Sequence, residues 1–347
     1  MTQSEDIYLK DLHDIAGCQA VDWTSLKDST VFITGATGLI GTTIVRGLLE
    51  YNRSFQGNIK VIALVRDMAK AKTIFSGQAD MLSFVEGDVL HPITVEESID
   101  YIIHGASVTS SKAFVETPVE TIMTAIEGTR NILELAKEKQ VKGMVYMSSM
   151  EVYGTPLDDE PLTEERMGYL NPLSVRSSYS ESKQMVENLC VSYHSEYKVP
   201  VCIVRLTQTF GPGVAADDGR VFAEFARCAK NGKDICLQTK GETERMYLYT
   251  ADAATALLTA LTKGEPGTAY NAANKNTYCS IREMAEMVAR NFGNGKTKVV
   301  IAIPDTPNTS YNPVCHVYLD SSRLEALGWK AETDLSDMYE RMMICMC

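Results

Sequence analysis

Residues 30–51 constrain this chain more than any other stretch. An apolar run of strand length at 31–34 leads into Thr34-Gly35-Ala36-Thr37-Gly38-Leu39-Ile40-Gly41, and a segment of helical period follows over 39–51. Strand, tight glycine turn and helix in direct succession form the first βα unit of a dinucleotide-binding sheet. Gly35 permits the turn, Gly38 lets the backbone approach a pyrophosphate, and Gly41 lets the helix pack closely on the strand. The helix N-terminus, with Thr37, Leu39 and Ile40, then meets the phosphates.

The alternation continues. Strands are predicted at 31–34, 60–65, 82–86, 101–104, 143–147 and 201–206, with helices at 39–51, 119–139 and 179–197. Six parallel strands wound in this way give an α/β fold, a Rossmann-type doubly wound sheet whose ligand sits beyond the strands' carboxyl ends. After Leu206 the pattern loosens into a smaller C-terminal substrate-binding lobe. The expected organisation is an N-terminal extension over 1–28, anchored by Trp23 and Leu26, a dinucleotide-binding domain over 29–206, and a substrate lobe over 207–347. That boundary is interleaved, because 251–261 is again helical and 268–271 can form one more strand.

Composition narrows the partners. Hydrophobic residues make up 45% and charged residues 22% of the 347, enough for a sizeable core. Lys plus Arg total 33 against 45 Asp plus Glu, and a net charge of −12 is the wrong sign for a nucleic-acid backbone, though placed cations and backbone amides still bind a small anion. Glu5 and Asp6 stand where a signal peptide needs basic residues, and no stretch reaches ~18 uncharged apolar residues, so a cytoplasmic protein away from membranes is expected. The nine cysteines are scattered without paired C-x-x-C motifs, which predicts neither zinc nor a disulfide framework, and no metal is expected.

The second strand ends Leu64-Val65-Arg66-Asp67, where NAD binders usually place a ribose-binding acid. Val65 accepts no hydrogen bond. Arg66 can stack on adenine and pair with a 2′-phosphate, which favours NADP; Asp67 keeps NAD open, and a surface arginine beside a helix cap is the plain alternative. Asp88, in Gly87-Asp88-Val89, is placed to meet the adenine amino group with Val89 beside it, and Gly105-Ala106 lets the backbone pass close to the cofactor.

Tyr179 and Lys183 lie at i, i+4 and share one helix face. A phenol with pKa near 10 is a poor base at pH 7; a neighbouring ammonium and an oxidised nicotinamide supply the positive field that lowers it. About thirty residues upstream, Ser148-Ser149-Met150-Glu151-Val152-Tyr153-Gly154 closes the fifth strand.

Together, Thr34–Gly41, Ser149 and the Y-x-x-x-K helix resemble the extended short-chain dehydrogenase/reductases, in the NAD-dependent epimerase/dehydratase group acting on nucleotide sugars. Segments 205–212, 245–252, 270–273 and 327–330 share the resemblance. It implies that Ser149 orients the sugar, that Tyr179 is the base and that Lys183 is its electrostatic partner. It also implies that Arg245 pairs with the nucleotide diphosphate, a surface salt bridge being its plain alternative, and that the protein is a homodimer through the Tyr179 helix and the long helix before it. The chain departs from the pattern at two places: Gln208 replaces a substrate-contacting Asn, and Ser310 stands where a second phosphate-binding Arg is expected.

Positions 150 and 151 together order the reactions within the group, although GDP-mannose dehydratases manage with a Ser at the first of them. Dehydratases of the dTDP-glucose type carry an Asp there to protonate the leaving hydroxyl, and Met150 cannot. Glu151 followed by Val-Tyr-Gly resembles UDP-glucuronate decarboxylases, which places decarboxylation first, 4-epimerisation second and 4,6-dehydration third; a strand-end carboxylate bound to local backbone is the plain alternative for Glu151. An NADPH-consuming ketone reductase and a non-catalytic NAD(P) sensor are the readings from other classes, the sensor disfavoured by the intact Ser149, Tyr179 and Lys183 set.

Overall fold

The computed structural model describes residues 2–78, 80–303 and 314–346. Six strands appear in the predicted order: β1 (Thr30–Thr34), β2 (Lys60–Val65), β3 (Leu82–Glu86), β4 (Tyr101–His104), β5 (Gly143–Ser149) and β6 (Val201–Leu206). A seventh, Ala269–Ala272, comes from the C-terminal half and pairs with β6. The all-parallel sheet runs Ala269–Ala272, β6, β5, β4, β1, β2, β3, so the order reverses between β1 and β4. That reversal opens the crevice in which such sheets bind ligands. All five residues of β1 are buried, as a strand covered on both faces requires.

Helix Leu39–Phe55 turns Ile44, Val45 and Leu48 towards the sheet. Its outer side is covered by residues of the N-terminal extension. Thr2 and Glu5 form a reciprocal capping box that starts helix Gln3–Ala16. Ile15 is fully buried, and a Cβ on Gly47 would lie 2.7 Å from its Cγ2, so the glycine is what lets the two helices approach. Burying an isoleucine of this kind contributes about 1.5–3 kcal/mol. Asp11 accepts hydrogen bonds from the Tyr249 hydroxyl at 2.5 Å and from Arg341 at 3.0 Å, tying the helix to the C-terminal half. Leu26 is buried, and Trp23 stacks on Tyr51 with ring centroids 4.1 Å apart.

Helix Thr250–Lys263 has 12 of its 14 residues buried, and its alanines allow close packing against Leu39–Phe55 and the central sheet. Thr207 alone separates β6 from strand Gln208–Phe210, so the chain passes directly from the large sheet into a smaller one. There Glu244–Tyr249 pairs with Gln208–Phe210, Asn274–Ser280 and His316–Val317. Helices Val221–Lys230, Ile281–Phe292 and Leu335–Cys345 close this lobe around Phe210, Phe222 and Tyr339. No described helix is long and apolar enough to cross a membrane, and the described residues hold no cluster of metal-ligating side chains.

Candidate active site

The glycine turn is built by close backbone approach. Gly35 has φ +70°, and a Cβ there would meet the carbonyl carbon of Gly105 at 2.7 Å; one on Gly41 would lie 2.1 Å from the Gly35 carbonyl oxygen. Gly38 opens helix Leu39–Phe55 with no side-chain cap, leaving first-turn amides without intrahelical acceptors. A cradle that side chains would fill, lined by such donors, fits a dinucleotide pyrophosphate. Thr34 Oγ1 accepts from the amides of Gly105 and Ala106 at 3.2 and 3.1 Å and meets His104 Nδ1 at 2.7 Å. His104 Nε2 is 3.0 Å from Thr129 Oγ1. Burial, reinforced by the Lys183 charge, pushes His104 down to about 3, so the imidazole stays neutral and fixes the end of β4.

At the end of β2, Val65 is buried and Arg66 exposed. The Asp67 carboxylate caps helix Met68–Ile74, accepting from the Lys70 amide at 2.9 Å. Asp88 accepts from the Leu90 amide at 3.0 Å, while Val89 packs where a Cβ on Gly128 would lie 2.9 Å from its Cγ2.

Ser149 ends β5 and caps a 3-10 turn, Met150–Tyr153, accepting from the Glu151 amide at 3.2 Å. Helix Ser178–Tyr197 brings Tyr179 against it, close enough for the Ser149 hydroxyl to act on the phenol. Tyr179 stacks on Phe114 with centroids 4.3 Å apart. Its phenol is not lowered by the chain alone. Burial pushes it up to about 12, the Ser149 hydrogen bond and the Arg176 charge oppose that rise, and the Glu151 charge adds to it. Lys183 shares the Tyr179 face of the helix, as the i, i+4 spacing predicts. Its Nζ donates to the Met147 carbonyl at 2.7 Å and stands 5.7 Å from the Tyr179 ring centre, and burial pulls the ammonium down to about 8 against the Glu187 charge.

On the substrate side, Glu151 Oε2 lies 3.6 Å from Arg176 and accepts from Ser180 Oγ at 3.4 Å. Met150 is buried in an apolar cluster with Val152, Tyr153, Met246 and Leu319. Gln208 faces Tyr247 in strand register, two residues from Arg245. Arg245 Nε is buried without an acceptor; burial raises the Cys315 thiol, the Arg245 guanidinium opposes that rise, and the Glu151 charge adds to it. Arg245, Cys315 and Glu151 thus share one electrostatic neighbourhood. Ser310 lies outside the described residues.

Sequence reasoning passed over two groups. Arg176, three residues before Tyr179, offered only its proximity as a signal. Glu187 continues the Tyr179, Lys183 spacing by one more turn, so its place on that face was legible, but its partner was not. Arg205 from β6 forms a buried ion pair with it at 2.7 Å, Ser148 donates to Glu187 from β5, and Arg205 also donates to the Tyr153 hydroxyl and the Glu164 carbonyl. This network locks the Tyr179 helix to β5 and β6.

The family model described as the NAD dependent epimerase/dehydratase family matches residues 31–273. A UDP-glucuronic acid decarboxylase 6 of Arabidopsis thaliana is 30% identical over 317 residues, covering 88% of this chain and 85% of the relative. In fold, the chain resembles a UDP-glucose 4-epimerase of Thermotoga maritima solved with UDP-glucose, with a TM-score of 0.74 at 20% identity over 91% of this chain and 98% of the other. A dTDP-glucose 4,6-dehydratase of Bacillus anthracis solved with NAD has the same TM-score and identity, over 91% and 96%.

Proposed function

The chain belongs to the NAD-dependent epimerase/dehydratase family, and on that premise we propose that it oxidises a UDP-glucuronate-type nucleotide sugar at C4 and releases the sugar carboxylate as carbon dioxide. The observation that carries this choice is the pair of neighbours after β5: an apolar, buried Met150, and a Glu151 beside Arg176 whose charge acts on Tyr179. Dehydration needs a proton donor at 150; decarboxylation does not.

The cradle of Gly35, Gly38 and Gly41 and the strand-end backbone at Gly105 and Ala106 would hold the dinucleotide. When bound, an oxidised nicotinamide supplies the hydride acceptor and the positive charge that favours the Tyr179 phenolate. Tyr179 takes the proton of the sugar 4-hydroxyl, and Ser149 orients that oxygen. In the resulting β-keto acid the bond from C5 to the carboxylate breaks, its electron pair enters the C4 ketone as an enolate, and carbon dioxide leaves. Ser149 donates to the developing oxyanion, a proton returns to C5, and Tyr179 gives its proton back to the C4 oxygen as C4 would regain the hydride, which leaves a pentose nucleotide and an oxidised cofactor. Glu151 serves the C5 end of the sugar, and Arg245 and Gln208 the nucleotide diphosphate side. Asp67 is committed to a helix cap and Arg66 is exposed, which favours NADP over NAD.

A homodimer through helices Pro118–Lys139 and Ser178–Tyr197 is part of the same reading, supported by the exposed Val119, Met123, Met185 and Tyr197. A Met185→Asp variant is then expected to sediment as a monomer where the parent does not.

Incubation with UDP-glucuronate, UDP-galactose and dTDP-glucose, followed by NMR, tests the reaction. Carbon dioxide and a pentose nucleotide are expected from the first; interconverted hexose nucleotides without carbon dioxide would make the chain a 4-epimerase instead.

A further inference from the structure

The family match begins at residue 31, yet helix Gln3–Ala16 walls a cavity of about 500 Å³ that opens on the glycine cradle. Tyr8, Thr37, Thr42, Arg46, Lys70 and Gly213 surround it. Two of these are cations with no ion pair among the described residues, Arg46 and Lys70. Arg46 Nη2 donates to the Ile74 carbonyl at 2.8 Å, which fixes the guanidinium, and the group lies 5.9 Å from the centre of the Tyr8 ring. Its Nε is buried with no acceptor. Such a donor is costly to leave unmade, and an incoming anion relieves it.

Two carboxylates also border the cavity, and both are answered. Asp11 is held by Arg341 and the Tyr249 hydroxyl, and Asp218 by Arg220 at 2.6 Å. What remains is positive charge beside the first turn of helix Leu39–Phe55, where amide donors already favour phosphate. The wall opposite is rigid, because Asp11 and Ile15 fasten the N-terminal helix to the core.

We propose that helix Gln3–Ala16 is the outer wall of a phosphate annex to the cradle, in which Arg46 and Lys70 bind a phosphate of the dinucleotide while Tyr8 backs the Arg46 guanidinium. The proposal rests on the cradle binding a dinucleotide. The phosphate is either the diphosphate bridge or a ribose 2′-phosphate, and the test separates them.

Calorimetric titration of NAD and NADP into nucleotide-free parent, Arg46→Ala, Lys70→Ala and Tyr8→Ala proteins reads the annex, with thermal melts alongside. Arg46→Ala and Lys70→Ala are expected to weaken binding about tenfold or more, the scale of one charge-assisted hydrogen bond, and Tyr8→Ala by a smaller factor. Equal weakening of both cofactors assigns the diphosphate, and weakening of NADP alone assigns the 2′-phosphate. Lys70 is exposed, so Lys70→Ala carries the test if Arg46→Ala fails to fold. Unchanged affinities for both cofactors in folded variants overturn the annex. A parent that binds neither cofactor overturns the cradle reading beneath it.

Discussion

Glu151 and Arg176 stand 3.6 Å apart, and their charges act on Tyr179 with opposite sign. The arginine favours the phenolate and the glutamate opposes it. If Tyr179 acts as the base, rate rises with pH as the phenol ionises. Arg176→Ala is then expected to move the rising limb of the pH–rate profile to higher pH, and Glu151→Gln to lower pH while slowing carbon dioxide release. Lowered rates with an unmoved limb would leave the pair a purely structural role.

Tyr179→Phe keeps the stacking on Phe114 and loses only the hydroxyl. The variant is expected to melt near the parent temperature, to bind dinucleotide as the parent does, and to lose at least ~10²-fold in kcat, the usual worth of a positioned proton acceptor. Turnover equal to the parent's would remove Tyr179 from the chemistry.

The Arg205–Glu187 pair is a different case, because both side chains are more than nine-tenths buried. Glu187→Gln strands the Arg205 charge, and a loss of about 3–5 kcal/mol in urea unfolding is expected. Replacing both partners by apolar residues, Arg205→Met with Glu187→Leu, is expected to cost much less, since no buried charge is then left unpaired. A Glu187→Gln loss no larger than that of the double variant would contradict this account.

Arg66 reports on the cofactor. If it pairs with a 2′-phosphate, Arg66→Ala weakens NADP by about 1.5–3 kcal/mol and leaves NAD nearly unchanged. Calorimetry with the two cofactors distinguishes this from adenine stacking, in which both weaken alike.

The sequence by itself determined the sheet and the glycine turn at the start of its first helix, because both rest on local physics. Strand-length apolar runs and helical periods are short-range signals, and they placed β1 to β6 and the three long helices within a few residues. Gly35, Gly38 and Gly41 were legible because their need for backbone space follows from a turn only seven residues long. The i, i+4 spacing put Tyr179 and Lys183 on one face for the same reason. Tertiary structure decided what depends on residues far apart in the chain. Lys183 donates to the Met147 carbonyl, because β5 packs beneath the helix and presents an acceptor there. Burial, a property of the whole fold, raises the Tyr179 phenol in the chain alone and outweighs the Ser149 and Arg176 contributions that lower it. Glu187 found Arg205 across the β6 interface, and helix Gln3–Ala16 became a wall of the cavity beside the glycine turn through contacts at Gly47, Tyr249 and Arg341. Neither partner has a period or spacing in the sequence, since each contact joins elements that meet only after the chain has folded.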